Sequence, residues 1–274
     1  MPEGHTIHRL ARDIAADLAG RRVRVSSPQG RFADGAAALD GRVLAHTEAW
    51  GKHLLLWWRG GTGVHVHLGL FGRFRRRPAP PPPPRGAVRL RLEGAMRTWD
   101  LSGPTICTLV RRRERDDLMA RLGPDPLRDD ADPDAFVARV RASDRAVGAL
   151  LLDQAVVAGV GNVYRAEALF VTGIHPTRPG HSLSPVAARR LWQTIATQLA
   201  DGVRLGRIVT VDPHRAAGRG ERLWIYKRAT CRRCNGPIET LVVAARRTWA
   251  CPRCQPRDGP PRPQGGRRTH IRTG

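Results

Sequence analysis

Cys231-Arg232-Arg233-Cys234 and Cys251-Pro252-Arg253-Cys254 bracket sixteen residues, NGPIETLVVAARRTWA (Asn235 to Ala250). Each C-x2-C places two thiolates on one tight turn, and two such turns complete a tetrahedral four-thiolate zinc site. The spacer has the length of one β-hairpin. Ile238 to Val243 reads as a strand, Thr248 and Trp249 suit its return, and Arg246 and Arg247 fall at the tip. All four ligands are protein, so no position is open to substrate and the metal reads as scaffold. A metal-stapled hairpin carrying arginines is a device for placing a cation. The alternative pairing, two disulfides, belongs to an oxidising compartment. Met1-Pro2-Glu3 opens no secretory signal, no apolar run approaches membrane-spanning length, and a fifth cysteine, Cys107, stands alone. A reduced, cytoplasmic compartment is expected.

Composition points to the partner. A formal charge of +23 on 274 residues, with a pI near 11.6, is the electrostatic footprint of nucleic-acid binding. An arginine-rich codon bias would also inflate the basic count, because only two of the 47 basic residues, Lys52 and Lys227, are lysines. The acids do not rise to match, so the surplus is real. Against that background a retained lysine suggests chemistry that a guanidinium cannot perform.

Outward from the hairpin, the length suits more than one cored domain. Ile7, Leu10, Ile14 and Leu18 share one face of an N-terminal helix that Gly20 stops. Strand-like runs follow at Arg22 to Val25, Val43 to Trp50, His53 to Trp58, Gly63 to Leu70, Ala87 to Leu92 and Thr105 to Arg111. Arg75-Arg76-Arg77 and the prolines Pro78 and Pro80 to Pro84 read as an extended, mobile loop, since proline donates nothing to a ladder. LGPDPLRDDADP, Leu122 to Pro133, reads as a linker. Beyond it the pattern is helical: Pro133 starts one helix, Val147 to Ala155 is apolar, another helix begins near Asn162, and Ser184-Pro185 caps a last one that Gly202 ends. Residues 256–274, basic and rich in Pro and Gly, are expected to be a disordered tail. The expected class is α+β multidomain, with a β-rich domain at 1–122, a linker at 123–133, a helical domain at 134–222 and the cysteine hairpin at 223–255.

Two local features bear on chemistry. Gly159-Val160-Gly161-Asn162 starts a helix at a glycine-rich turn, where backbone N–H groups can point outward and receive a phosphate. Helix-packing glycines are the plainer reading. Pro2 becomes the N-terminal residue if the initiator methionine is removed. Its amine then has a pKa near 8, leaving a usable neutral, nucleophilic fraction. Glu3 sits beside it at the positive end of the first helix. An ordinary N-terminus is the alternative.

Together these pieces resemble the formamidopyrimidine-DNA glycosylase / endonuclease VIII family of base-excision repair enzymes, over essentially the whole chain. The resemblance is carried by MPEG (Met1 to Gly4), WGKHLLL (Trp50 to Leu56), HLGLFG (His67 to Gly72), LLLDQAVVAGVGNVYRAEALF (Leu150 to Phe170) and RRTWACPRCQ (Arg246 to Gln255). It implies an N-terminal β-sandwich with a flanking helix, a helix-two-turn-helix domain and a zinc-finger β-hairpin, with DNA held between the halves. The implied activity is that of a bifunctional DNA glycosylase and AP lyase, excising oxidised bases through a proline Schiff base with β,δ-elimination.

The resemblance also implies roles. Pro2 matches the nucleophile, Glu3 the general acid, Lys52 the phosphate-binding lysine that assists elimination, and Arg246 the hairpin arginine associated with proton donation. A guanidinium keeps its proton, so phosphate clamping fits Arg246 better. Gly161, Asn162 and Arg165 fall in the DNA-binding turn. Leu70, with Phe71 beside it, aligns with the apolar wedge that fills the gap left by a flipped nucleotide; a buried sheet pair is the alternative. GALLLDQ (Gly148 to Gln154), Arg165 after Tyr164, and Gly4 lean toward the endonuclease VIII branch and oxidised pyrimidines. Many relatives carry a second acid where Thr6 stands here. One structural zinc on Cys231, Cys234, Cys251 and Cys254, no organic cofactor, damaged DNA as partner, no membrane and a monomeric state complete the expectation. An oxidised-purine glycosylase of the same family and a non-catalytic binder of damaged or abasic DNA are the alternatives, and the second would need none of Pro2, Glu3 and Lys52.

Overall fold

The computed structural model describes residues 2–211 and 222–257. Met1 and all of the expected tail beyond Arg257 lie outside the described residues. Helix α1 (Gly4–Leu18) comes first, its Ile7, Ile14 and Leu18 buried as the 3.6-residue period requires. Strand β1 (Arg24–Ser26) and helix α2 (Ala33–Leu39) follow. Then come β2 (Leu44–Trp50), β3 (His53–Trp58), β4 (Thr62–His67), β5 (Arg73–Pro78), β6 (Val88–Glu93), β7 (Arg97–Ser102) and β8 (Ile106–Arg111). They form two antiparallel four-stranded sheets, ordered β1-β6-β7-β5 and β2-β3-β4-β8. Leu54, Leu56, Val64 and Val66 of the second sheet share one core with Leu90, Leu92, Trp99 and Leu101 of the first, and α1 closes it. This is the expected β-sandwich with its flanking helix.

One element departs from an expected loop, and another lies where the sequence analysis places no element. Arg75, Arg76 and Arg77 lie within β5, an edge strand paired only with β7. Charged side chains suit such an edge, and here two are also paired: Arg76 with Asp17 (2.5 Å) and Arg77 with Asp100 (3.1 Å). Residues 81–85 of the proline tract join no ladder, as their missing donors dictate. Helix α3 (Arg112–Met119), too polar to signal a core face, covers the outer side of the second sheet, where Met119 packs with Leu55, Trp57 and Val110.

The helical half contains α4 (Pro133–Arg141), α5 (Val147–Leu150), α6 (Asn162–Thr172) and α7 (Pro185–Leu205). Asp132 and Ser184 cap α4 and α7 through their side chains, each followed by proline at the first helical position. Gly202 does not end α7. The helix runs on to Leu205 and stops at Gly206, φ +67°. Gly202 is there for close approach: a Cβ would lie 2.1 Å from the Tyr164 hydroxyl and 2.9 Å from His5 Cβ. The hairpin is β9 (Glu239–Val243) with β10 (Arg246–Ala250), docked through Cys231 and Cys251 against Ala166 and Phe170 of α6. Among the described residues, no helix is long and apolar enough to cross a membrane.

Candidate active site

Three glycines bring distant segments together. Gly4 donates its N–H to the Gly159 carbonyl at 2.8 Å, and a Cβ on Gly4 would stand 2.9 Å from Gly159 Cα. Gly51, φ +56° in the two-residue β2–β3 turn, has room for no Cβ either, since one would lie 2.9 Å from Gly159 N. The start of α1, the Lys52 turn and the turn before α6 therefore touch backbone to backbone, which any side chain would prevent. Buried Asp125 locks the joint: it accepts from Gly51 N–H (2.6 Å) and Leu127 N–H (3.0 Å) and faces His8 Nε2 (2.7 Å). Gly123 to Asp125, at the head of the segment expected to be a linker, is thus a buried seam.

Glu3 precedes α1 but does not cap it with its side chain. Its fully buried carboxylate instead sits on the first turn of α6, accepting N–H bonds from Gly161 (2.8 Å), Val163 (2.9 Å) and Tyr164 (3.3 Å). The positive end that holds it belongs to a different helix from the one expected. Two of the amides expected to face a phosphate are occupied from within: Gly161 N–H by Glu3, and Gly159 N–H by Gln154 Oε1 at 3.0 Å. Burial raises the Glu3 pKa above the ordinary carboxylate value, opposed by the Lys52 charge and these three N–H groups. Such a carboxyl is suited to holding a proton.

Lys52 stands across from it, its Nζ donating to the Val160 carbonyl at 2.6 Å. Burial lowers its pKa to about 8; Glu3 pulls the other way and Arg246 adds to the lowering. A cleft of about 340 Å3 gathers Pro2, Lys52, His67, Leu70, Gly161 and Arg246 on its walls. Leu70 and Phe71, in the turn between β4 and β5, are 55 % and 85 % exposed, so neither is a buried sheet residue.

Arg165 is placed differently from the expectation of direct DNA contact, and Asn162 is its neighbour in the same network. Arg165 is fully buried, its guanidinium donating to the carbonyls of Gly148 (3.3 Å), Val243 (3.1 Å), Arg246 (3.4 Å) and Arg247 (3.0 Å) and to Asn162 Oδ1. Asn162 Nδ2 donates to the Arg247 carbonyl at 3.1 Å. Five donors on a rigid fork can satisfy a cluster of carbonyls that no other side chain could, so the pair ties the hairpin tip to α6 and aims Arg246.

The four cysteine sulfurs lie within 4.8 Å of one another. The Cys231–Cys254 and Cys234–Cys251 separations are 3.8 and 3.5 Å. Four sulfurs at a Zn–S distance of about 2.3 Å stand roughly 3.8 Å apart on a tetrahedron, so the set fits a structural zinc ion, and all five cysteines are free thiols. Gln255 braces the turn, accepting from Cys251 N–H and donating to the Ile174 carbonyl.

Several residues of this region escaped the sequence reading. Glu167, fully buried, accepts from Trp224, Ile225 and Tyr226 N–H at 2.7, 2.9 and 2.8 Å and so fixes the turn that leads toward the hairpin. Asp125 had no local signal, because its partners come from α1 and the β2–β3 turn. His53, His65 and His67 did have one: strand alternation puts them on one face of adjacent strands.

The chain matches the models of the formamidopyrimidine-DNA glycosylase N-terminal domain over residues 1–104, the formamidopyrimidine-DNA glycosylase H2TH domain over 122–213, and the zinc finger found in FPG and IleRS over 230–257. It is 47 % identical to endonuclease 8 1 of Mycobacterium tuberculosis, covering 93 % of this chain and 100 % of that protein. Identity to the formamidopyrimidine-DNA glycosylase of Thermus thermophilus is 35 %, covering 93 % and 97 %. The crystal structure of the MutM (FPG) protein from Thermus thermophilus superposes with a TM-score of 0.75 at 34 % identity, covering 93 % and 98 %. A Lactococcus lactis Fpg bound to DNA containing an abasic site shares the fold, with a TM-score of 0.78 at 22 % identity over 93 % and 99 %. The chain belongs to the formamidopyrimidine-DNA glycosylase and endonuclease VIII family of base-excision repair DNA glycosylases.

Proposed function

We propose that the chain is a bifunctional glycosylase and AP lyase that excises oxidised bases from DNA, favouring pyrimidines, with Pro2 as nucleophile. The observation that carries this reading is the single cleft in which Pro2, Lys52, Gly161, Leu70 and Arg246 converge from five separate parts of the chain, with Glu3 buried behind Gly161. With Met1 removed, the Pro2 nitrogen forms a bond to C1′ of the flipped nucleotide and the base leaves with the glycosidic electron pair. Glu3 supplies the proton for base release, a role its raised pKa suits. The C1′–O4′ bond then opens, O4′ taking the proton that the Pro2 nitrogen gives up, to leave an iminium; loss of the C2′ proton then expels the 3′-phosphate. Lys52 and Arg246 stabilise the phosphate charge that develops. Leu70, with Phe71, fills the space vacated in the duplex, which offsets part of the few kcal/mol that flipping costs.

In this reading Asn162 and Arg165 serve DNA binding indirectly, by fixing the hairpin that carries Arg246. The domains proposed are 1–122 for catalysis, 134–222 for the helix-two-turn-helix and 223–255 for the zinc finger, with damaged DNA between them. The pyrimidine preference is supported by the 47 % identity to an endonuclease 8 against 35 % to a formamidopyrimidine-DNA glycosylase. Borohydride added to the enzyme and DNA with one abasic site should trap an adduct at residue 2. Absence of adduct from protein with Met1 confirmed removed would refute the catalytic assignment. Release from a panel of single-lesion duplexes decides the branch, and preferential release of oxidised purines would overturn the pyrimidine preference.

A further inference from the structure

A row of imidazoles runs from the cleft to the outer face of the second sheet. His53 on β3 stands directly opposite His67 on β4, and His65 is two residues back on the same face. The His53 ring centroid lies 5.0 Å from that of His67 and 5.1 Å from that of His65. His53 Nδ1 and His65 Nε2 are 2.9 Å apart, a hydrogen bond. The row is open at both ends: His67 lines the cleft, whereas His53 and His65 line a separate surface groove with Glu114 and Arg121. The same outer face is otherwise built from apolar Leu55 and Trp57, so packing alone does not call for three imidazoles in series.

The lyase step proposed above needs a proton acceptor, and the cleft offers few. Arg246 never releases its proton. Lys52 donates to Val160, and with a pKa near 8 it is mostly charged at neutral pH. The Pro2 nitrogen is consumed in the covalent intermediate. Gln154 does not titrate. Glu3 is already assigned to base release and, buried behind Gly161 with three N–H groups on its oxygens, is not among the residues lining the cleft. Among the described residues lining the cleft, His67 remains. Burial, with the neighbouring imidazoles and the cations Lys52 and Arg121, lowers His53 to about 3; burial and His67 lower His65 to about 4. Burial and Lys52 also lower His67. All three rings are therefore neutral at physiological pH, each accepting on one nitrogen while donating from the other.

We propose that His67 accepts the C2′ proton in the elimination and that His53 and His65 carry it to the surface groove. This inference rests on the lyase function proposed above. The C2′–H electron pair becomes the C1′=C2′ bond while the iminium pair returns to the Pro2 nitrogen. That nitrogen pair then re-forms the iminium, the C1′=C2′ pair becomes the C2′=C3′ bond, and the C3′–O electrons leave with the 3′-phosphate. The His67 and His53 rings are in tilted contact without a hydrogen bond, so the proton taken by His67 passes to His53 by way of a water or a ring rotation; the Nδ1 hydrogen of His53 moves to Nε2 of His65, which releases its own proton to water. Transfer in concert leaves no full charge on the buried middle ring. His67 acts on the reacting sugar, whereas His53 and His65 are positioning residues.

Single-turnover reactions on abasic-site DNA, reading borohydride trapping and strand cleavage separately, test this. Trapping reports the step before elimination. His67→Ala should slow cleavage by roughly 10^2–10^4, the span of general acid–base catalysis. His53→Phe, and independently His65→Asn at the open end, should trap at the wild-type rate yet cleave at least about tenfold more slowly, and free imidazole should restore part of the loss. Wild-type cleavage in both His53→Phe and His65→Asn, trapping that falls in parallel with cleavage, or no imidazole rescue would overturn the relay. Wild-type enzyme that neither traps nor cleaves would instead overturn the lyase function itself, and the relay with it.

Discussion

Arg165→Ala separates a buried clamp from a DNA contact. The substitution removes one cation from a fully buried site and leaves four carbonyls and Asn162 Oδ1 without its donors. Burial and Arg246 lower the Arg165 pKa only to about 10, so the group is charged at neutral pH. Breaking a buried, charged hydrogen-bond network costs about 3–5 kcal/mol. At roughly 2–4 °C of Tm per kcal/mol for a chain near this size, the melt should fall by about 6–20 °C. The loss should concentrate in the hairpin, because four of the five acceptors are carbonyl oxygens that hold β9, β10 and the α5 region together. Arg165→Lys should recover little, since a single ammonium cannot span the same acceptors. Thermal denaturation, zinc content and DNA binding across a salt series provide the readout. A wild-type melt with full zinc, together with a salt slope reduced by about one unit, is the signature of a lost phosphate contact. That result would refute the clamp.

The remaining predictions concern the zinc hairpin and the cations around the cleft. Cys251→Ser should lose zinc, worth about 10–16 kcal/mol of apparent folding free energy in small fingers, and unfold the hairpin while the sandwich stays folded. Arg246→Ala should keep its zinc yet bind lesion DNA more weakly, with a salt slope lower by about one unit; unchanged affinity would shift the clamp to Arg247. For Lys52 the folded pKa is depressed, from 10.5 to about 8, so its charged form is the one that burial disfavours. The penalty is present below about pH 8 and is relieved as pH rises from 8 toward 10.5, so this group's contribution to stability increases across that window. Strand cleavage that depends on the ammonium should fall above pH 8, and Lys52→Arg should remove that limb of the profile. A limb that persists in Lys52→Arg assigns it to another group.

The fold was legible wherever the chain encodes its own local rule. The Ser184-Pro185 start, the Ile7–Ile14–Leu18 stripe and the paired C-x2-C turns each depend on neighbours within one or two helical turns. Gly202 reads as a helix stop, because a glycine at a terminus and one under a crossing side chain look alike in sequence. The Arg75–Arg77 run looked like a loop because the partners that make it a strand, Asp17, Asp100 and β7, come from elsewhere.

At the site, residue types and their order were enough to mark Pro2, Glu3, Lys52, Arg246 and the cysteines as candidates, since nucleophile, carboxyl, ammonium and thiolate chemistry is written in the side chain itself. Direction was not. Only the packed chain decides that Glu3 caps α6, that Arg165 turns inward to the hairpin carbonyls, and that Asn162 spends its amide on Arg247. Those choices follow from satisfying buried polar groups: once α6 and the hairpin exclude water, the Gly161 to Tyr164 amides and the tip carbonyls must find partners, and Glu3 and Arg165 are the ones within reach.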